Sequence, residues 1–199
     1  MLSSPVRFEQ KIQRSTFAGF LYPVRDAAEA KHLIGEHQKT YANATHNCYA
    51  YVCGYGQEIQ YYSDAGEPHN TAGKPILNAL LRHGLTFTLA IVTRYFGGVK
   101  LGTKGLAEAY GDTAEQAIGR AELRDAVLYT ELGIVTDYAF AERLAALVLE
   151  AGGSVADTEW AERVRMRVRV PEASLASFTA VLDGLKAQFH LDYHLEKEP

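Results

Sequence analysis

Apolar and polar residues alternate around Val6-Arg7-Phe8-Glu9 and again over residues 15–22, a spacing of two that predicts a pair of strands. The period then lengthens. Ala30, Leu33, Ile34, His37 and Tyr41 recur every three or four residues, so an amphipathic helix is expected to start near Asp26. Residues 47–55, rich in Tyr, Cys and Val, read as a strand that stops at Gly54 or Gly56. Residues 63–75 are polar and broken by Pro and Gly, the composition of a loop. Pro75 falls in the first turn of a short helix, where its missing N–H is harmless, and Ile76, Leu77, Leu80 and Leu81 form that helix's buried face. Residues 86–96 are the most strand-like segment. A glycine-rich turn over residues 97–105 follows, then a helix to about Gly119 with Leu106, Tyr110, Ala114 and Ala117 on one face.

The remainder is simpler. Residues 127–135 predict a strand, and Phe140, Leu144, Leu147, Val148 and Ala151 a helix stopped by Gly152-Gly153. Residues 154–160 and 162–170 read as two adjacent strands. Leu175, Phe178, Val181, Leu182 and Leu185 mark a second helix, and residues 188–195 a last strand. The order βαββαβ in about 70 residues is that of a ferredoxin-like sandwich. Charge changes at the same place: residues 1–125 carry 13 basic and 12 acidic side chains, residues 126–199 carry 7 and 12. Two domains, 1–125 and 126–199, are therefore expected, and the whole is an α+β chain.

Composition narrows the function classes. A hydrophobic content of 47% with 22% charged residues is that of a globular protein, not a disordered one. The net charge of −4 excludes binding to nucleic acid by bulk charge alone. No apolar run approaches the ~20 residues that span a bilayer, and residues 1–10 lack the features of a signal peptide. No membrane association and a cytoplasmic location are expected. Cys48 and Cys53, five positions apart on one extended segment, point to opposite faces and read as two buried thiols rather than a disulfide or zinc half-site.

Three segments hold candidate chemistry. In the turn at residues 97–105, Gly97, Gly98, Gly102 and Gly105 free the backbone to turn its N–H groups outward, and a helix N-terminus adds partial positive charge. Arg94 precedes it, and Lys100 and Lys104 flank it, a combination suited to a phosphate or carboxylate. The order Gly102-Thr103-Lys104 is not that of a P-loop, and no dinucleotide fingerprint occurs. A tight strand-to-helix turn, with the glycines serving close packing, is the alternative. In the loop, Asp64, Glu67 and His69, with His46 near in sequence and Thr71 and Lys74 beside them, gather acid, base and metal-ligand chemistry, although the spacing fits no zinc or calcium motif. A solvated surface loop explains the same polarity. Finally, Arg163, Arg165, Arg167 and Arg169 share one face of a strand whose other face is Val164, Met166, Val168 and Val170. That face could track a nucleic-acid backbone, or it could be paired with carboxylates on neighbouring strands.

These residues carry a resemblance. The run Asp64 to Pro75 resembles the S-D-D-G-E-P-x-G-T-A-G-x-P signature of the IMPACT/YigZ family. Arg94-Tyr95-Phe96-Gly97-Gly98 with Leu101-Gly102, Gly105-Leu106 and Ala109-Tyr110 is similar to its R-Y-[FY]-G-G-x-x-L-G-x-G-G-L-x-x-A-Y, and His46-Asn47-Cys48-Tyr49-Ala50 to its H-x-C-x-A. The resemblance covers essentially the whole chain. It implies a first domain of the ribosomal-protein and GHMP-kinase type with a left-handed βαβ crossover, an uncommon hand, and a second, ferredoxin-like domain similar to the last domain of elongation factor G. It also implies a link to translation: eukaryotic relatives bind a partner of the general-control kinase and so modulate initiation, and bacterial relatives are suspected of binding nucleic acid or ribosomes. Three residues depart from the pattern. Ala65 stands for a second Asp, Asn70 for a Gly, and Lys104 for a Gly.

The leading expectation is a non-enzymatic binding protein without cofactor or metal, its partner RNA, the ribosome or a translation-related protein. Arg94, Lys100 and Lys104 with the glycine turn would hold a phosphate, and the loop with Asp64, Glu67, His69, Thr71 and Lys74 would shape the cleft. An enzyme using Asp64 or Glu67 as acid/base, and a protein–protein adaptor using the Arg163 to Arg169 face, are the alternatives.

Overall fold

A two-residue connection, Gln13 and Arg14, both at positive φ (43° and 69°), joins β1 (Val6–Ile12) to β2 (Ser15–Pro23) as a tight antiparallel hairpin. These strands open the computed structural model, which describes residues 1–189 and 191–195 and divides into two units, Met1–Ala126 and Val127–Pro199. In the first unit α1 (Ala27–Thr40) starts where Asp26 accepts the Glu29 N–H at 2.8 Å. Then come β3 (His46–Cys53), β4 (Ile59–Ser63), α2 (Gly73–Arg82), β5 (Thr88–Tyr95) and α3 (Gly102–Ile118). The sheet order is β1-β2-β5-β3-β4, every pair antiparallel.

Each face of that sheet has its own core. Ala30 and Ile34 of α1 pack with Tyr51, Cys53, Leu89 and Ile91 on one side. On the other, Ile76, Ala79 and Leu80 of α2 and Leu106, Tyr110 and Ala114 of α3 pack with Phe17, Leu21, Cys48, Ala50 and Val92. Cys48 and Cys53 thus face opposite ways, as their spacing requires, and both are buried free thiols. The hand of the crossovers follows from topology. β2 and β3 are parallel to each other across β5 and are joined through α1; β4 and β5 are parallel across β3 and are joined through α2. A half-turn about the sheet normal superposes the second connection on the first, except that its helix lies on the opposite face. The two crossovers therefore have opposite hands, and one is the rare left-handed form.

The second unit is β6 (Tyr129–Thr136), α4 (Tyr138–Glu150), β7 (Ser154–Trp160), β8 (Val164–Pro171), α5 (Glu172–Phe189) and β9 (Asp192–Leu195). Its sheet order β7-β8-β6-β9, antiparallel throughout, is the ferredoxin-like arrangement. Val164, Met166, Val168 and Val170 are buried against Phe140, Leu144, Phe178 and Leu182, while Arg165, Arg167 and Arg169 lie on the open face. Two details differ from expectation. β4 was not foreseen, and the last strand is shorter because α5 runs on to Phe189; residue 190 and residues 196–199 of the expected segment and domain lie outside the described residues.

One buried polar chain holds α1 to the sheet. Thr93 donates its hydroxyl proton to Asn47 at 2.8 Å, so His37 Nε2 must be the donor in its 2.8 Å contact with Thr93, and Nδ1 faces the Tyr22 hydroxyl at 3.3 Å. Burial pushes the His37 imidazole down to about 4. The folded state therefore holds this ring neutral while the unfolded chain protonates it below about pH 6.5. Unfolding takes up a proton in that window, so stability falls as pH drops from about 6.5 to about 4, by on the order of 3 kcal/mol. Denaturant melts of wild type and His37→Gln between those pH values should show a steeper acid loss in the wild type; parallel curves would contradict the assignment.

Candidate functional site

The loop between β4 and α2 is built inward. Asp64, with its side chain 14% exposed, accepts backbone N–H groups from Asn70 (2.8 Å), Ala72 (3.0 Å) and Gly73 (2.9 Å). It caps α2 from outside the helix, because the residue at the cap position, Ala72, has no side-chain acceptor. Asn70 takes the left-handed conformation (φ 62°) that lets it stand in place of a glycine. The Thr71 hydroxyl donates to the Pro68 carbonyl at 2.7 Å and is buried. His69 and Lys74 are exposed, with His69 Nδ1 4.0 Å from Asp64. The loop is thus only partly solvated: Asp64 and Thr71 bond to the loop's own backbone, while His69 stays in solvent.

Glu67 is the deepest of these groups. Its Oε1 accepts Arg94 Nη1 at 2.6 Å and the Tyr110 hydroxyl at 2.9 Å, and the ion pair's side chains are only 4% and 6% exposed. His46 donates from Nδ1 to the Ala65 carbonyl at 2.9 Å, which leaves Nε2 4.0 Å from Glu67 Oε2. The Cys48 thiol donates to the Asp64 carbonyl at 2.9 Å, and burial pushes it up to about 12, so no thiolate nucleophile forms there. Burial likewise raises Tyr110 far above the ordinary phenol range. Asp64 and Glu67 are therefore both engaged in holding the fold, Asp64 by backbone amides and Glu67 by Arg94 and Tyr110. Tyr110 and Ser15, absent from the expected site, belong to it. A buried Tyr needs a partner for its hydroxyl, and that was the available signal.

Arg94 differs most from expectation. It does not reach the turn as a free cation. Its guanidinium lies between the Phe17 and Phe96 rings, 5.4 and 5.3 Å from their centres, with Nη2 3.4 Å from Ser15 Oγ and Glu67 on the other nitrogen. Glu67 consequently ties three elements together: the loop, the end of β5 and the third turn of α3. Glu67 thus joins the loop to the strand that leads into the glycine-rich turn and to the helix that follows it.

The turn itself divides between the two roles considered for its glycines. At Gly97 a side chain would meet the Arg14 carbonyl oxygen at 1.9 Å, so this glycine serves close packing on the β1–β2 connection. Gly98 (φ 85°) and Gly102 (φ 71°) adopt conformations that L-residues rarely take, and nothing lies within 4 Å of where their side chains would be. The residue before α3 is Leu101, so no side chain caps the 17-residue helix. Gly98, Lys100, Gly102, Thr103 and Lys104 are exposed and Gly105 is half-buried. Lys104 stands 3.8 Å from Glu108, both largely in solvent, a weak pair; Lys100 makes no ion pair among the described residues.

In the second unit Arg165 lies 3.5 Å from Glu159, Arg169 2.7 Å from Glu131, and Arg163, just before β8, 3.6 Å from Asp137. Arg167 is opposite Asp157 and Gly133 in the sheet. This face is a lattice of both signs, not a basic track. Among the described residues, no group of three His, Cys, Asp or Glu is placed to share an ion, and no helix is long and apolar enough to cross a membrane.

Residues 13–118 match the Impact N-terminal domain, and residues 134–183 match a domain of unknown function, DUF1949. The chain is 32% identical over 182 residues to IMPACT family member YigZ of Escherichia coli, covering 90% of this chain and 89% of that one. It is 34% identical over 168 residues to IMPACT family member YvyE of Bacillus subtilis, covering 84% and 77%. A crystal structure of a hypothetical protein, 29% identical, superposes with a TM-score of 0.71 over 100% of this chain and 97% of the other.

Removing one partner of a buried ion pair strands the other. Glu67→Ala should destabilise the first unit by about 3–5 kcal/mol, because the Arg94 guanidinium loses its counter-charge out of water. Lys104→Ala, at a solvated pair, should change stability by less than about 0.5 kcal/mol. Paired chemical denaturation curves check both, and equal effects of the two substitutions would contradict the assigned roles.

Proposed function

The chain belongs to the IMPACT family, and we propose that it is a non-enzymatic binding protein that takes phosphate groups of RNA, free or in the ribosome, at the turn leading into α3. One observation carries this reading: the first-turn amides of α3 have no side-chain cap, open space adjoins Gly98 and Gly102, and Lys100 and Lys104 stand exposed on either side. Backbone donors, a helix terminus and lysines are the ordinary elements of phosphate binding. The buried Glu67–Arg94 pair supports it from beneath by fixing both walls, so that no rearrangement is needed to present the amides. The role near translation is the one the family resemblance implies, and a cytoplasmic location is proposed with it.

The chain's net charge of −4 limits binding to such a local site and makes it salt-sensitive. Single-stranded RNA and purified ribosomes should be retained at low salt, with the logarithm of affinity falling linearly as the logarithm of salt rises. In Lys100→Ala/Lys104→Ala that slope should shrink by about 1 per lysine. Fluorescence anisotropy and cosedimentation read the two arms. No retention at low salt, or an unchanged slope in the double variant, would overturn the proposal. A large thermal shift with one small phosphorylated metabolite and no RNA binding would favour the enzyme reading instead.

A further inference from the structure

In the second unit β6 is an inner strand, paired with β8 on one side and β9 on the other. Cross-strand neighbours share a face, so the open face of this sheet is a set of rungs. One rung is Asp192, Val135, Arg165 and Glu159, and the next is His194, Gly133, Arg167 and Asp157. Val135 fills the middle of the first; Gly133 puts no side chain in the middle of the second. Gly133 lies in a regular ladder and not at positive φ, so backbone conformation does not require a glycine there. A glycine inside a strand weakens it and often marks a place where a ligand comes close to the backbone. Here it lines a cavity of about 170 Å³ together with Arg167 and His194 on either side and Asp157, Glu159 and Arg165 nearby.

The width of this slot and the chemistry of its walls select an occupant. Neighbouring strands lie ~4.8 Å apart, so Arg167 and His194 rise from chains ~9.6 Å apart, and side chains stand roughly perpendicular to a sheet. A flat ring ~3.5 Å from a wall on each side takes up ~7 Å of that gap. The volume is close to the ~150 Å³ that holds one benzene ring. A guanidinium and an imidazole are planes on which unpaired bases stack, and an aliphatic chain gains nothing from them. A phenyl ring would leave the polar lining unused, whereas the edge of a base carries both donors for Asp157 and Glu159 and acceptors for Arg165. Arg165 and Glu159 are themselves only 3.5 Å partners, both largely in solvent. We propose that the slot at Gly133 takes one unpaired nucleobase, inserted edge-on between Arg167 and His194. Stacking uses the flat face of the Arg167 guanidinium and leaves its N–H edge for other partners. Taking RNA as the source of the base rests on the reading above; a free nucleotide offers the same ring.

Adenosine, which is uncharged and carries no phosphate, probes the slot apart from the turn into α3. Nuclear magnetic resonance of the full chain should show saturable shifts at the Gly133 amide and the His194 ring in the millimolar range of adenosine. Gly133→Val, which fills the slot with a strand-forming residue, should lose them. Circular dichroism melting near that of the wild type shows that this variant has folded. If it does not fold, His194→Ala serves instead: the position is exposed on the terminal strand β9, and loss of its ring should weaken adenosine binding at least about fivefold. The same titration with adenosine 5′-monophosphate and with a short single-stranded RNA identifies the source. Saturation at a lower concentration of RNA assigns the base to a strand; no advantage for RNA assigns it to a free nucleotide. Absence of shifts at both Gly133 and His194, or shifts that persist in Gly133→Val, overturns the proposal. RNA that is not retained at low salt while adenosine still shifts Gly133 overturns the phosphate site and leaves the base slot standing.

Discussion

A single ion pair, Glu67 with Arg94, fixes how the loop, the end of β5 and α3 meet in the first unit. Both side chains are almost wholly out of water, and the cost of burying them is met only because Glu67 also receives the Tyr110 hydroxyl while Arg94 is enclosed by Phe17, Phe96 and Ser15. A pair of this kind adds little net stability over an apolar contact of the same volume, but it has one satisfactory geometry. It joins a loop, a strand end and a helix that are distant in sequence, so any change in their arrangement leaves a charge stranded. Specificity of position is the more natural return on such a pair than stability.

The division of charges follows from that constraint. The cation that sequence places first at the turn, Arg94, is spent inside; Lys100 and Lys104 stay exposed there, and the proposed anion site relies on them and on backbone amides of α3. Amides need no counter-ion when empty, and they require no desolvation of a long side chain when filled. The second unit handles its arginines in the opposite way, balancing Arg165 and Arg169 with Glu159 and Glu131 on neighbouring strands at the surface. Carboxylates on neighbouring strands thus offset two of the arginines on that open face.

Periodicity is legible where one face of an element is buried and the other is wet. That is why β8, with its unbroken alternation of arginines and aliphatics, and α1, with its Asp26 start, could be read directly from the chain. β4 gave no such sign: at the sheet's edge Ile59 and Tyr61 are exposed although apolar, and Tyr62 turns toward Asn70. The polar loop is hard to read from sequence for a related reason. Polar residues signal solvent unless the backbone consumes them, and nothing in the order of residues announces that Asp64 caps a helix starting nine residues later. Arg94 and Glu67, 27 positions apart, are the clearest case, since a cation beside glycines looks the same in sequence whether it points out or in. The left-handed crossover was implied by the resemblance to the family, and it becomes derivable only when the sheet order and the helix faces are both known.

The proposed site requires the amides entering α3 to be open donors on a rigid frame. Amide-resolved nuclear magnetic resonance during titration with a short single-stranded RNA reads those donors one by one. The largest shifts are expected at Gly98, Thr103, Lys104 and Gly105, saturating together, with the Glu67 and Tyr110 signals unmoved. Shifts confined to the second unit, or a loop that rearranges around Glu67 as RNA is added, would contradict it.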